Sequence, residues 1–285
     1  MPASDERQLL CFGHGYVAQH LARALGPDWQ VTGTSRTQRS LPGARIVTWP
    51  GDDILPALGR ASHILSSVPP DQGGDPVLDV IAAQRHRLSP HLRWLALLST
   101  TGVYGDQGGA WVAEDAPIVP AGHRGALRAA QEVRWFDLHR DHGLPVHVFR
   151  LAGIYGPGRS AFDRLRDGTA RRIIKPGQVF SRIHVDDIVA ILRASMAAPT
   201  PGEAFNLADD LPAPTQDVIA EAARLAGLPV PPDEPFDTAD MTPMARSFYA
   251  DNKRVANGKV KRTFGITLLH PDYHSGLRAI LAKDR

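Results

Sequence analysis

Two rhythms of apolar and polar positions alternate along the first half of the chain. Short apolar runs at residues 8–12, 30–35, 45–49, 62–67, 92–99 and 145–151 read as six buried strands. Stretches with helical spacing at 16–25, 76–87 and 125–141 read as helices between them. Strands and helices in this alternation predict a parallel sheet covered on both faces. Right-handed crossovers then make the sheet doubly wound. After residue 151 the rhythm changes. Residues 153–160 read as a glycine-proline loop, 181–185 and 204–207 as short strands, and 187–197 and 216–226 as helices. Residues 229–235, proline-rich and acidic, read as a surface loop. The expected fold class is therefore α/β. A doubly wound parallel sheet spans 1–155 and a smaller C-terminal lobe spans 156–285, with segments around 181–207 returning to the core.

The first strand runs into Gly13-His14-Gly15-Tyr16-Val17-Ala18, a G-x-G-x-x-A turn that opens a helix. Each position has a physical reason. Gly13 permits the tight turn, Gly15 lets the backbone approach a diphosphate, and Ala18 is small enough for close helix–sheet packing. Tyr16 and Val17 lie in the first helical turn, whose N–H groups and dipole favour an anion. The pattern, in this strand–turn–helix context, points to a dinucleotide. An acid about 20 residues past the glycines selects the NAD ribose. The second strand instead ends in Thr34-Ser35-Arg36-Thr37, followed by Arg39. The Arg36 and Arg39 guanidinium groups, helped by the Ser35 hydroxyl, suit a 2′-phosphate. NADP(H) is thus expected in preference to NAD(H). Ser66, Ser67 and Val68 end the fourth strand, where open α/β sheets place their ligands.

More segments follow in order. Leu98-Ser99-Thr100-Thr101-Gly102-Val103-Tyr104-Gly105 ends the fifth strand, and Arg150-Leu151-Ala152-Gly153-Ile154-Tyr155-Gly156-Pro157-Gly158 follows the sixth. Arg182-Ile183-His184-Val185-Asp186-Asp187-Ile188 and Phe205-Asn206-Leu207 come later. Over residues 8–210 this ordered set resembles the extended short-chain dehydrogenase/reductase superfamily, in its NAD(P)-dependent, nucleoside-diphosphate-sugar epimerase/dehydratase branch. The resemblance implies a Rossmann core, a C-terminal substrate lobe and a nicotinamide cofactor, with Ser99 and Ile154 among the cofactor's neighbours. It also implies a catalytic Ser/Thr, matched here by Thr100, and a Tyr-x-x-x-Lys pair some two dozen residues on. Tyr155, Arg159, Arg182 and His184 fall where substrate contacts are expected, although burial in the strand–helix junction competes for His184.

The Tyr-Lys pair is where the chain departs from that family. Arg124 stands at the tyrosine place and Arg128 at the lysine place, with Glu132 one turn further on. Positions 124 and 128 share one helix face. Arg128 suits a fixed cation near the ribose. Arg124 cannot relay a proton, because a guanidinium does not release one at neutral pH. It suits an anionic substrate group or an oxyanion, and both arginines also suit a solvated helix face. Tyr104 is the remaining phenol for acid–base work, against a packing role. Two readings stay open: an atypical oxidoreductase or epimerase/dehydratase of unknown substrate, and a non-catalytic NADP(H)-binding redox sensor.

Composition narrows the rest. Thirty-two basic and thirty acidic side chains balance to +2, which argues against nucleic acid. The single cysteine, Cys11, excludes an internal disulfide and fits a reducing compartment. No apolar run approaches the roughly 18 residues of a membrane helix. With no basic-then-apolar leader in Met1–Arg7, a cytoplasmic protein without membrane partner is expected. His139-x-x-His142 lacks companion ligands, so no metal is expected. Asp187 reads as a helix N-cap and Arg171-Arg172 as solvated charge. The expected partner is a small molecule, anionic or nucleotide-linked. A homodimer is compatible with the resemblance, although no interface signature is visible.

Overall fold

In the computed structural model, which describes residues 7–283, every apolar run of the first half is a strand. In chain order the elements are β1 (Gln8–Phe12), α1 (Tyr16–Leu25), β2 (Gln30–Ser35), β3 (Arg45–Thr48), α2 (Leu55–Leu58), β4 (His63–Ser66), α3 (Pro76–Ala83), β5 (Trp94–Thr100), β6 (Trp111–Val112), α4 (His123–His142) and β7 (Val146–Leu151). The second half adds β8 (Gly153–Tyr155), α5 (Ala161–Arg166), β9 (Arg172–Ile174), β10 (Arg182–His184), α6 (Val185–Ala197), β11 (Glu203–Leu207) and α7 (Thr215–Ala226). It closes with β12 (Asp233–Pro235), α8 (Pro243–Ser247), β13 (Arg254–Val255), α9 (Gly258–Phe264) and α10 (Tyr273–Lys283). Residues 1–6, on which the reading of no leader rests, lie outside the described residues. No helix among the described residues is long and apolar enough to cross a membrane.

Seven strands form one parallel sheet in the order β11-β7-β5-β4-β1-β2-β3. The order reverses direction between β1 and β4, which places a crevice at their carboxyl ends. Leu10, Phe12, Ile64, Leu95, Leu97, Val146 and Val148 point to one face of the sheet and pack with Ile81, Trp135 and Leu138 of the covering helices. Strands this apolar are buried on both faces, the signature of a parallel sheet.

The chain divides into two compact units whose segments interleave. One comprises the segments up to Thr100, Ala126–Arg150 and Ile188–Phe205, and holds most of the sheet. The other comprises Thr101–Gly125, Leu151–Asp187 and Asn206–Arg285. Residues 101–125, assigned from sequence to the sheet domain, group with the second unit.

A buried ion pair fixes α4 in the first unit. Arg150 on β7 donates to Glu132 Oε2 from Nε at 3.0 Å and from Nη2 at 2.8 Å. Ser99 Oγ on β5 donates to Glu132 Oε1 at 2.5 Å. Both charged side chains are about nineteen-twentieths buried, at 6% and 4% exposure. The pair is tolerable there because its hydrogen bonds are satisfied.

Several local expectations are corrected in the second unit. Residues 153–155 are strand β8, paired with β10, rather than loop. Residues 233–235 are strand β12, paired with β9. Arg171 and Arg172 are partly exposed but not free charges: they form ion pairs with Glu234 and Asp233 across that strand pair. Asp187 is not the cap of α6, which begins at Val185. Its carboxylate accepts instead from the backbone N–H groups of Leu269 at 2.6 Å and His270 at 3.1 Å. In the first unit, residues 84–87, read as the end of one helix, leave α3 as a separate 3₁₀ turn.

Two predictions follow from burial. Arg150→Ala strands the Glu132 charge and lowers the unfolding free energy by about 3–5 kcal/mol. Urea denaturation checks it, and a loss below about 1 kcal/mol contradicts the buried pair. In the second unit, burial pushes the Asp209 carboxyl up to about 8, against the opposing pull of Arg182. The folded chain then holds a proton that the unfolded chain releases near its ordinary carboxylate value of about 3.9. Stability therefore falls as pH rises through that window, by at most about 1.4 kcal/mol per pH unit, and levels off above it. Asp209→Asn removes this slope, which paired denaturation curves at mildly acidic and mildly basic pH measure.

Candidate functional site

The first unit carries the glycine corner. Gly13 has φ +80°, and a Cβ built there would lie 2.7 Å from Ser67 Oγ and 3.2 Å from Val68 Cγ2. Only glycine fits. Ser67 Oγ donates to Gly13 O at 2.6 Å, and Gly13 N–H donates to Thr34 Oγ1 at 2.8 Å. His14 N–H donates to Thr34 O at 2.9 Å. The corner is thus pinned from β4 on one side and β2 on the other.

Gly15 differs in kind. A Cβ there would meet no protein atom nearer than Gly13 O at 3.9 Å. Open space stands above the backbone, and no side chain caps the first turn of α1. Tyr16 is half-buried, and Val17 and Ala18 are buried, with Ala18 facing the sheet. An exposed glycine backbone and an uncapped helix start fit a diphosphate.

Ser35, Arg36 and Arg39 stand at and beyond the carboxyl end of β2. Ser35 Oγ accepts from Thr37 N–H at 3.4 Å, Arg36 is exposed, and Arg39 Nη2 donates to His14 O at 3.1 Å. The same side of the corner therefore carries two guanidinium groups and no carboxylate at the selector position. Ser66 is fully buried, Ser99 is held by Glu132, and Thr100 is half-buried at the end of β5. Arg128 turns inward from α4, its Nη1 donating to Leu98 O at 3.2 Å and to Gln131 Oε1 at 3.0 Å. Burial lowers its pKa from the usual guanidinium value, against the nearby Asp75 and Glu132 carboxylates. Arg128 is a half-buried, anchored cation and not a solvated one.

The second unit holds the remaining candidates. Arg124 is exposed on the first turn of α4. That turn approaches closely: a Cβ at Gly125 would lie 2.9 Å from Gly102 O. Tyr104 is fully buried, and its hydroxyl donates to Asn206 Oδ1 at 2.7 Å. Asn206 is held in turn by Glu114 and Ala256 O. The buried hydroxyl and its bond to Asn206 favour the packing role of Tyr104 over acid–base work. Tyr155 is 8% exposed and donates to Asp272 O at 3.3 Å, against Gly276, where a Cβ would lie 2.1 Å from its hydroxyl oxygen. Arg182 donates to Phe180 O, Ala213 O and Thr215 Oγ1, and burial lowers its pKa to about 10. Both make their contacts within this unit. Ile154 is half-buried on β8 and Arg159 is exposed just beyond it. His184 is 1% exposed, in the junction between β10 and α6.

Three features escaped the sequence reading. Gly33 admits the His14 ring, since a Cβ there would lie 2.5 Å from it. The His14 ring is wholly buried, and burial followed by Arg39 lowers its pKa. Lys253 is nearly buried and donates from Nζ to Gly105 O at 2.8 Å, just after Tyr104. His184, Asp186 and His270 form a cluster with metal-ligand atom types. There Lys283 Nζ pairs with Asp186 Oδ2 at 2.9 Å, while His184 Nδ1 accepts from Asp186 N–H. Each joins residues far apart in the chain, so spacing carried no signal.

No family model matches the chain. Among curated proteins it is 29% identical over 276 residues to Protein YeeZ of Escherichia coli (strain K12), covering 88% of this chain and 93% of that one. Among solved structures it is 52% identical to a conserved protein of unknown function from Silicibacter pomeroyi DSS. That match has a TM-score of 0.88 over 96% of this chain and 98% of the other. UDP-glucuronic acid 4-epimerase from Bacillus cereus, solved in complex with NAD, is 16% identical with a TM-score of 0.75, over 96% of this chain and 95% of the other. With its doubly wound sheet and its glycine corner, the chain shares the fold of the UDP-glucuronic acid 4-epimerase and dTDP-glucose 4,6-dehydratase structures.

Proposed function

We propose that this protein is a nicotinamide-dinucleotide-dependent oxidoreductase of the epimerase/dehydratase type. It takes NADP(H) in preference to NAD(H) and acts on an anionic or nucleotide-linked small molecule. The observation that carries the reading is the contrast between Gly13 and Gly15. One glycine is demanded by protein packing; the other leaves open space where a diphosphate would lie. The uncapped start of α1 supports the same assignment. NAD in the complex of the Bacillus cereus epimerase supports the cofactor class.

When bound, a nicotinamide ring supplies hydride exchange at its C4. Gly13, Gly15 and the first turn of α1, with Tyr16, Val17 and Ala18, would hold the diphosphate. Arg36 and Arg39 would hold a 2′-phosphate, with Ser35 assisting. Ser66, Ser67, Val68 and Ser99 would line the cofactor, and Arg128 would stand as a fixed cation near the ribose. Thr100 would hydrogen-bond the reacting substrate oxygen, and Arg124 would anchor an anionic group.

A second reading, a redox sensor without turnover, draws on the committed Tyr104 hydroxyl and on the arginines at both positions of the expected pair. Supplying NADPH with a panel of carbonyls and sugar nucleotides separates the two readings. Saturable loss of absorbance, or product without net consumption, supports the enzyme.

Two outcomes are expected. NADPH binds more tightly than NADH in calorimetry, and Arg36→Ala with Arg39→Ala reduces that preference by about tenfold or more. Equal or tighter NADH binding by the wild type overturns the preference. Thr100→Val lowers turnover by about a hundredfold with little change in cofactor affinity, and unchanged turnover removes Thr100 from the chemistry.

A further inference from the structure

At the end of the sheet opposite the glycine corner, the first unit carries an open pocket of about 310 Å³. It lies where β1, β4 and β5 begin and where α1 and α6 end. Its apolar wall is Leu25, Met196, Ala197 and the half-buried ring of Trp29. Its cationic members are Arg7, Arg93 and Arg193. Nothing in the proposed reaction uses this end of the sheet.

The pocket is built rather than incidental. His63, fully buried at its base, meets the Trp29 ring edge-on at a centroid distance of 4.9 Å. Ser62 Oγ lies 2.9 Å from His63 Nδ1 and itself accepts from Gln8 N–H, tying the imidazole to β1. Arg93 Nε lies 3.5 Å from His63 Nε2. Burial, then the Arg93 charge, lowers the His63 pKa to about 4, so the ring stays neutral at ordinary pH. Trp29 and Arg93 are thereby held against one rigid ring. Arg7 pairs with Asp28 at 2.8 Å, and Arg93 and Arg193 complete the cationic lining.

Helix C-termini carry partial negative charge, which arginines offset. That effect is satisfied within about one turn and does not call for a tryptophan wall. A flat apolar wall beside guanidinium groups suits one ligand chemistry: an aromatic ring bearing a phosphate or carboxylate. The volume is at the lower end of small-molecule sites. We propose that this pocket is a second ligand site, for a small anionic aromatic compound, separate from the dinucleotide corner. The ring would stack on Trp29, and its anionic group would meet Arg93 and Arg193.

The test uses 1-naphthyl phosphate as the probe and inorganic phosphate as the comparison, on the full chain. Binding is followed by calorimetry and by the indole N–H resonance of Trp29, assigned from its loss in Trp29→Phe. Naphthyl phosphate is expected to bind with a Kd on the order of 1 mM or tighter and to shift the Trp29 signal, with inorganic phosphate weaker by about tenfold. Arg93→Ala with Arg193→Ala, both exposed positions, weakens binding by about tenfold or more while the thermal midpoint stays near wild type. Gly15→Val, which fills the space at the other end of the sheet, leaves this binding unchanged. No movement of the Trp29 signal, wild-type affinity in the double arginine variant, or loss of binding in Gly15→Val would each overturn the proposal. The last outcome would assign the probe to the dinucleotide corner instead.

Discussion

The absence of room beside Gly13 governs the candidate site. Its backbone sits in the left-handed region, with Ser67 Oγ and Val68 Cγ2 where a side chain would go. Ser67 and Thr34 hold it there from neighbouring strands. That constraint sets the direction in which α1 leaves the sheet, and hence where its first-turn N–H groups point. A similar crowding repeats one strand over, where Gly33 admits the buried His14 ring. The turn is therefore specified by three strands at once, although only the residues in the turn itself form a recognisable motif. A rigid turn of this kind costs little to organise when an anion arrives, because its donors are already aimed.

The second governing interaction is the Glu132–Arg150 pair with its Ser99 donor. It joins β5, α4 and β7, and so fixes the face that α4 turns toward the end of β5. Arg128, one turn before Glu132, is drawn inward toward Leu98 O as a result. The guanidinium at position 128 is thus anchored by the backbone of β5 and by its own helix. The position still carries a cation, but one that cannot lose its proton.

Much of the fold was legible because parallel strands buried on both faces leave long apolar runs, and the helices between them keep their period. The glycine corner was legible for a related reason: all its diagnostic residues are adjacent in sequence. What escaped depends on distant partners. Asp187 looked like a cap because an acid opening a helix usually is one; here Leu269 and His270 claim it. Tyr104 looked available because its acceptor, Asn206, is about a hundred residues away. Residues 233–235 looked like a loop because three residues carry no period, and only pairing with β9 makes them a strand. Arg171 and Arg172 looked solvated for the same reason.

The interleaving of the two units constrains how the chain can be cut or rearranged. A fragment ending near residue 155 would contain six of the seven sheet strands and would lack β11. The backbone of β7 would then present a row of unpaired donors and acceptors along a long apolar edge. Such an edge recruits other chains rather than water. The same fragment would lack Ser195, the acceptor for the buried Trp94 indole N–H at 3.0 Å. An apparently complete sheet half is thus a poor expression unit, and synthesis of the sheet remains unfinished until the ribosome has passed residue 207.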